Sequence, residues 1–285
     1  MLAIDGLRPD VAESQGLSTF HGTHYPNVYT VLPATRMVYS MLWGGDPQRY
    51  TASHAIPDIE ELEGKAPYTI LKAAWQQGLK TRFYIDDGGT IGLAGRTDYF
   101  DEVLMPARGW ENFVNSNLAV HLPLYALWLN HLRVFPSTHP WAPLDAGLRR
   151  ALELGRGADW VMFHSCLSHQ PIFLDRQELG SLPRWWTLKP GELRPKVSWK
   201  ELTPKEAQDW DMRRDTFRVY EIRVRSLLNA WEPLWNGLGS DPAYAKATRV
   251  FFSDHGERFY HVTDKVRLQG IHGFDLDPWE LRIPF

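Results

Sequence analysis

Three apolar segments of this sequence run directly into aspartate or histidine, and this feature constrains the fold more than any other. The residues at or just beyond these ends are Asp5, His164 with the nearby His169, and Asp254 with His255. In an open α/β sheet, ligands bind in the crevice beyond the carboxyl ends of the strands. Three strand ends that carry Asp or His therefore predict a metal site. The same residue types also form turns and caps, so the pattern alone leaves both interpretations open.

Strand patterns alternate with helix patterns along the chain. The strand patterns are Leu2–Asp5, Thr81–Ile85, Trp160–His164 and Thr248–Ser253. The helix patterns are Thr35–Trp43, Ala66–Gly78, Asn117–Val134, Ala146–Leu154 and Pro204–Leu238. This alternation predicts an α/β fold with three layers, in which helices cover both faces of a mostly parallel central sheet.

The length of 285 residues is compatible with one catalytic domain over residues 1–285. Within it, residues 176–204 are rich in Pro, Trp and Lys without a period, which predicts a lid-like excursion. Both ends resemble cut strands, because Met1–Ile4 is shorter than a typical buried strand and Leu281–Phe285 begins an apolar segment that stops abruptly. We therefore expect a fragment that is truncated at both ends.

Charge and cysteine content narrow the classes of partner. The net charge of −3 provides no general field for a nucleic-acid polymer or an anionic membrane. The single cysteine, Cys166, excludes a disulfide within the chain, and we interpret it as a small buried residue. No run of about 18 apolar residues is present, so this chain contains no predicted membrane span.

Several motifs resemble one known family. Phe251–Glu257 reads Phe-Phe-Ser-Asp-His-Gly-Glu and resembles the Ser-Asp-His-Gly-Glu motif of the alkaline phosphatase/sulfatase superfamily. Ile4–Asp10 looks like the first metal-binding strand end of that family, and Pro33–Met37 looks like its nucleophile turn, with Gly44 and Gly45 closing the helix. The segments Leu71–Thr81 and Ile271–Gly273 match later parts of the pattern. These matches occur in the family's order over nearly the whole chain and imply an alkaline-phosphatase-like fold.

The resemblance implies a metal site and a nucleophile. Asp5, Asp254 and His255 would be the ligands of the main metal, with the Thr35 oxygen completing the set. Thr35 would attack the substrate and form a covalent intermediate, although a lone Thr at this position commonly serves as a helix N-cap. The ion would be zinc, manganese or calcium, and either one or two ions fit the resemblance.

Further residues receive roles from the same resemblance. His169, which stands two residues before Pro171, and His272 would contact the ester oxygens or hold a second metal. Arg36 would neutralise charge on the transferred group, or it would be a solvated arginine at a helix start. The sequence does not decide whether the His164 side chain belongs to the site or points into the core. Asp86 and Asp87 are interpreted as a turn at a strand end.

The implied reaction is metal-dependent cleavage of a phosphate- or sulfate-type ester. Sulfatases oxidise a Cys or Ser to make their nucleophile, and Thr35 cannot give that product, so a phosphodiester or phosphomonoester is preferred. A phosphoethanolamine- or phosphoglycerol-type transferase and a non-catalytic binding member remain as alternatives. The expected substrates are small-molecule, lipid-head-group or glycan esters. The resemblance suggests an extracytoplasmic or membrane-anchored full-length protein, while the sequence itself leaves a cytoplasmic location open.

Overall fold

The computed structural model describes only part of the chain. The described residues are 1–30, Thr35, Val38, Tyr39, Leu42, 70–86, 100–104, 143–168, 215–257 and 281–285. The predicted helix Asn117–Val134 and the predicted lid 176–204 lie outside these residues, and the single-domain interpretation of residues 1–285 stays a prediction.

A parallel sheet forms the centre of the described structure. Its strands are β1 (Leu2–Ile4), β3 (Thr81–Ile85), β4 (Glu102–Leu104), β5 (Trp160–Ser165) and β6 (Phe251–Ser253). They lie in the order β4-β3-β5-β1-β6, and every neighbouring pair is parallel. Two further short strands, β2 (Val28–Tyr29) and β7 (Arg282–Ile283), pair antiparallel in a separate sheet. The predicted parallel sheet is thus confirmed.

Helices lie between several of the strands along the described chain, as is common where parallel strands are joined by crossover connections. They are α1 (Pro9–Ser14), α2 (Ile70–Gln76), α3 (Ala146–Gly155) and α4 (Asp215–Gly237), and a single turn of 3-10 helix covers Leu17–Thr19. Residues Thr35, Val38, Tyr39 and Leu42 are also helical, and we call the element that carries them the Thr35 helix. Among the described residues, no helix combines the length and apolar character that crossing a membrane requires.

Side chains of the central strands alternate between two cores, one on each face of the sheet. Leu2, Ile4 and Phe163 pack with residues of α1, α3 and α4. Ala3 and Met162 point the other way and pack in a cluster that includes Tyr39, Phe83 and Phe252. Helical residues therefore lie on both faces of the sheet, which confirms the predicted three-layer α/β/α fold.

The described part of α4, Asp215–Gly237, and that of α2, Ile70–Gln76, lie within the longer helical segments that the sequence predicted. Four described elements were not predicted, namely α1, the 3-10 turn Leu17–Thr19, β2 and β4. Helix α1 begins at Pro9, where the fixed φ of proline suits the first helical position. Strand β4 has three half-buried residues, too few for an alternating pattern to be recognised in the sequence.

Candidate metal centre

The strand register brings the predicted strand-end residues to one edge of the sheet. Ile4 lies beside Ser165 on one side and Ser253 on the other, so the residues that follow these three positions emerge together. Ile85 lies beside His164, which places the end of β3 next to the same edge. Asp5, Asp86, His164, Asp254 and His255 are all fully buried there, each with 0% of its surface exposed.

The turn after β1 fixes the strand ends to one another. Gly6 has a φ of +65°, a left-handed conformation that favours glycine. The Gly6 N–H donates to Asp254 Oδ1 at 3.3 Å, and the Leu7 N–H donates to Ser253 Oγ at 2.9 Å. A Cβ on Gly6 would lie 3.0 Å from Glu257 Oε2, so the motif after β6 also packs closely against this turn.

Asp5, Asp254 and His255 form a compact group. His255 Nε2 lies 3.2 Å from Asp5 Oδ1 and 3.7 Å from Asp254 Oδ2. One ligand atom from each of the three residues lies within 4.8 Å of the other two. The structure therefore brings together the three residues that the resemblance assigns to the main metal.

The orientation of the His255 ring is set by its backbone contact. Its Nδ1 lies 2.6 Å from the Gly256 carbonyl oxygen, which only accepts hydrogen bonds, so Nδ1 carries the proton and Nε2 faces the carboxylates. Burial lowers the pKa of His255, but the charges of Asp254 and Asp5 and the bond to Gly256 outweigh it and raise that pKa to about 10. The surroundings of Nε2 thus favour a cation there, either a proton or a metal ion.

The donor set and its spacing fit a divalent ion. Nitrogen and oxygen ligands about 2.0 to 2.2 Å from a tetrahedral ion lie about 3.4 Å from one another, and the distances from His255 Nε2 to the two carboxylates bracket that value. Asp254 Oδ2 is buried and has no hydrogen-bond donor among the described residues. Buried carboxylates are strongly disfavoured unless they are paired or bind a metal, so this oxygen is suited to coordination.

Thr35 lies beside this group. Its Oγ1 is 3.2 Å from His255 Nε2, and 7% of the residue is exposed. Tyr39 follows one helical turn later on the same face of the Thr35 helix. Its hydroxyl lies 2.5 Å from His164 Nδ1. The Thr35 helix therefore contacts both buried histidines at the sheet edge.

His164 belongs to the centre and not to a separate part of the core. Its Nε2 lies 3.4 Å from Asp5 Oδ2, on the side of that carboxylate away from the His255 contact. The Cys166 sulfur and ligand atoms of Asp5 and His164 also lie within 4.8 Å of one another. Cys166 is buried, as predicted, but its neighbours are ionisable groups as well as apolar ones.

Asp86 ends β3 at a bend, and its carboxylate binds the protein itself. Asp86 Oδ2 accepts a hydrogen bond from Ser165 Oγ at 2.5 Å, and its Oδ1 accepts one from the Cys166 N–H at 2.7 Å. The sequence interpretation as a turn misses this role, because the partners lie on the neighbouring strand. Asp86 holds the ends of β3 and β5 together.

Comparison with known proteins gives structural matches. No protein-family model matches the sequence, and no curated protein matches it. The C-terminal periplasmic domain of EcEptC from Escherichia coli is similar, with a TM-score of 0.56 and 13% identity over 99% of this chain and 69% of that one. The phosphonate monoester hydrolase of Agrobacterium radiobacter gives a TM-score of 0.60 and 12% identity over 99% and 66% of the two chains.

A 2-O GAG sulfatase is also similar, with a TM-score of 0.54 and 14% identity over 99% of this chain and 62% of that one. The chain has the fold of the alkaline phosphatase/sulfatase superfamily. The resemblance read from the sequence is thereby confirmed at the level of the fold. The chain spans 62 to 69% of the length of these three structures.

Some of the predicted site residues are not among those that the structure describes. Arg36, His169 and His272 lie outside the described residues, as does Asp87, so their roles stay predictions. Tyr39 is a site neighbour that the sequence interpretation missed. Its spacing of four residues from Thr35 places both on one helix face, and that spacing was the available signal.

Proposed function

We propose that this chain is a metal-dependent enzyme that cleaves or transfers a phosphate ester through Thr35. The observation that carries the proposal is the 3.2 Å distance between Thr35 Oγ1 and His255 Nε2, within a buried group that contains two carboxylates. A hydroxyl packed against a prospective metal ligand is poised to act as a nucleophile, whereas a simple helix cap requires no such neighbours.

Asp5, Asp254 and His255 would hold the ion, with the Thr35 oxygen as a fourth contact. The ion would lower the pKa of the hydroxyl and offset negative charge on the transferred group. Zinc, manganese and calcium are the candidates, and the imidazole nitrogen favours zinc over manganese and calcium. The similar EcEptC domain has been solved in complex with Zn, which supports a test with zinc first.

The reaction would occur in two halves. Thr35 Oγ1 forms a bond to phosphorus as the bond from phosphorus to the ester oxygen breaks. The hydroxyl proton leaves Thr35, and the departing alkoxide takes up a proton, so the overall charge is unchanged. Water or an acceptor alcohol then displaces the Thr35 oxygen from phosphorus. We propose His169 or His272 as the proton donor and Arg36 as a contact to the phosphoryl oxygens, on the strength of the sequence resemblance.

The identity of residue 35 supports phosphorus over sulfur. The aldehyde-derived nucleophile of sulfatases is made from Cys or Ser, and the only cysteine of the chain, Cys166, is buried just after β5 and is distant from residue 35 in the sequence. A threonine hydroxyl can form a phosphoester directly. The proposed substrate is therefore a phosphodiester or phosphomonoester of a small molecule, lipid head group or glycan.

Transfer to an acceptor alcohol is the second candidate, because hydrolysis and transfer share the first half-reaction. The similarity to the EcEptC periplasmic domain is one of fold, and it favours testing acceptors as well as water. The same similarity supports an extracytoplasmic location as part of the proposal.

The test compares bis-p-nitrophenyl phosphate, p-nitrophenyl phosphate and p-nitrophenyl sulfate with added zinc, manganese or calcium. We expect metal-dependent release of nitrophenol from a phosphate ester and a loss of that activity in Thr35→Ala. Sulfate turnover that survives Thr35→Ala would contradict the mechanism. If folded, metal-loaded protein hydrolyses none of the three esters, the result would contradict the proposed hydrolase activity and favour a transferase or a non-catalytic member.

A further inference from the structure

A second group of metal-type ligands lies on the other side of Asp5. It consists of Asp5, His164 and Cys166, whose ligand atoms lie within 4.8 Å of one another. All three residues are buried, with 0%, 0% and 3% of their surfaces exposed. The group offers oxygen, nitrogen and sulfur donors, which is a combination that zinc-type ions bind.

His164 is oriented as a metal ligand would be. Its Nδ1 contacts the Tyr39 hydroxyl at 2.5 Å, while its Nε2 lies 3.4 Å from Asp5 Oδ2. Metal-binding histidines nearly always donate their second ring N–H to another group, and the Tyr39 oxygen can accept it. The separation of Nε2 from Oδ2 matches the spacing of about 3.4 Å between two ligands of a tetrahedral ion.

Asp5 connects this group to the first one through its two oxygens. Oδ1 faces His255 and Oδ2 faces His164. A carboxylate with one oxygen directed to each of two nitrogen ligands can bridge two ions, as carboxylates do in enzymes with paired metals. Charge is compatible with a second cation, because a Cys166 thiolate would add a third negative charge to those of Asp5 and Asp254 in a buried site.

We propose that Asp5 Oδ2, His164 Nε2 and the thiolate of Cys166 form a second metal position that takes a zinc-class ion. Cys166 loses its S–H proton when the ion binds, since the thiolate is the ligand form. Sulfur disfavours magnesium, calcium and manganese at this position. The inference shares Asp5 with the proposed function, but it requires no ester activity.

The competing arrangement contains hydrogen bonds only. In it, Tyr39 donates to Nδ1, the Nε2–H of His164 donates to Asp5, and Cys166 is a buried thiol. Both arrangements place the same heavy atoms at the same distances, because a tyrosine hydroxyl both donates and accepts. A spectroscopic test of the sulfur distinguishes them.

Cobalt(II) is the probe, because it replaces zinc and gives a near-ultraviolet charge-transfer band when bound to thiolate. Cys166 is the only cysteine among the 285 residues, so such a band in the full chain can arise from no other residue. We expect the band together with about two cobalt ions per chain. Cobalt that binds without a thiolate band would overturn the proposal, and this result is obtained from the wild-type protein alone.

Two variants separate this site from the proposed active site. Cys166→Ser should remove the band and reduce binding from about two ions to about one. Asp254→Asn should lose ester hydrolysis and the other ion but keep the thiolate band. A Cys166→Ser protein that still binds about two ions would contradict the second site. A thiolate band in a protein without esterase activity would uphold the site and place the failure in the proposed function.

Discussion

Two aspartates that follow strands of the sheet, Asp5 after β1 and Asp86 after β3, are buried to the same degree but have different surroundings. Asp86 receives hydrogen bonds from Ser165 Oγ and the Cys166 N–H, so the protein supplies donors to both of its oxygens. Asp5 lies between two imidazoles and beside a second carboxylate, Asp254. The first arrangement holds strands together, whereas the second concentrates negative charge in the interior.

The comparison shows that burial at a strand end does not by itself decide the role of an aspartate. What separates the two cases is the balance between carboxylates and donors. Asp86 is balanced by uncharged neighbours, and this arrangement needs no cation. The group of Asp5, Asp254 and His255 buries two carboxylates, and Asp254 Oδ2 has no hydrogen-bond donor among the described residues, which points to an ion. Three predictions test this distinction and a fourth tests the turn that follows Asp5, from the largest effect to the smallest.

Removal of metal should have the largest effect. A chelator should abolish ester hydrolysis, and zinc at about 1,000 times its Kd should stabilise the folded chain by about 4 kcal/mol. For a chain of this size, that corresponds to a rise in melting temperature of roughly 10 °C. Calorimetry with and without zinc measures it. An unchanged melting temperature across a zinc titration would mean that the Asp5 group needs no ion.

Asp254→Asn should weaken zinc binding and lower kcat/KM by at least about 100-fold. Changing a residue that only hydrogen-bonds to a metal ligand lowers metal affinity or activity by up to about 100-fold, and the loss of a ligand itself should be at least as large. The metal-free variant should lose less stability than Asp86→Asn, because relief of repulsion between two adjacent carboxylates offsets part of the lost attraction between Asp254 and His255. Zinc titration and urea unfolding measure the two properties. A variant that loses stability but keeps zinc affinity would assign Asp254 to the structural class of Asp86.

Asp86→Asn should show the reverse pattern. The carboxylate of Asp86 accepts two hydrogen bonds, but the amide of Asn can accept only one of them and turns its NH2 group towards the other donor. We therefore expect a loss of about 2 to 3 kcal/mol in the free energy of unfolding. The rise in melting temperature on adding zinc should be retained. Urea unfolding with and without zinc provides the data. A zinc response that disappears in this variant would remove the contrast between the two aspartates.

Gly6→Ala, compared with Gly78→Ala, should give the smallest effect. Both glycines have a φ of +65°, which costs an alanine about 1 to 2 kcal/mol. A Cβ at Gly78 meets nothing within 4 Å, whereas one at Gly6 lies 3.0 Å from Glu257 Oε2. Gly6→Ala should therefore be the more destabilising change in urea unfolding. Equal losses would show that the turn after Ile4 is not tightly packed.

The sequence predicted the sheet and the grouping of Asp5, Asp254 and His255 because both depend on local signals. The alternating apolar segments identify strands, and the Asp254-His255 pair follows one of them directly. The roles of Asp86, Tyr39 and Cys166 depend on which strands are neighbours and in what register, and one sequence does not specify that pairing. His164 was left open for the same reason, since its contact with Asp5 joins residues 159 positions apart.

Kinetics of two Thr35 variants test the central claim most directly. Thr35→Ser keeps a hydroxyl, and Thr35→Val replaces it with a methyl group of similar shape. With zinc and a phosphate ester, we expect Thr35→Val to lower kcat/KM by at least about 10³-fold, as removal of an enzyme nucleophile does. Thr35→Ser should retain measurable turnover. If Thr35→Val hydrolyses the ester as fast as wild type, Thr35 is a helix cap and the proposed mechanism is wrong.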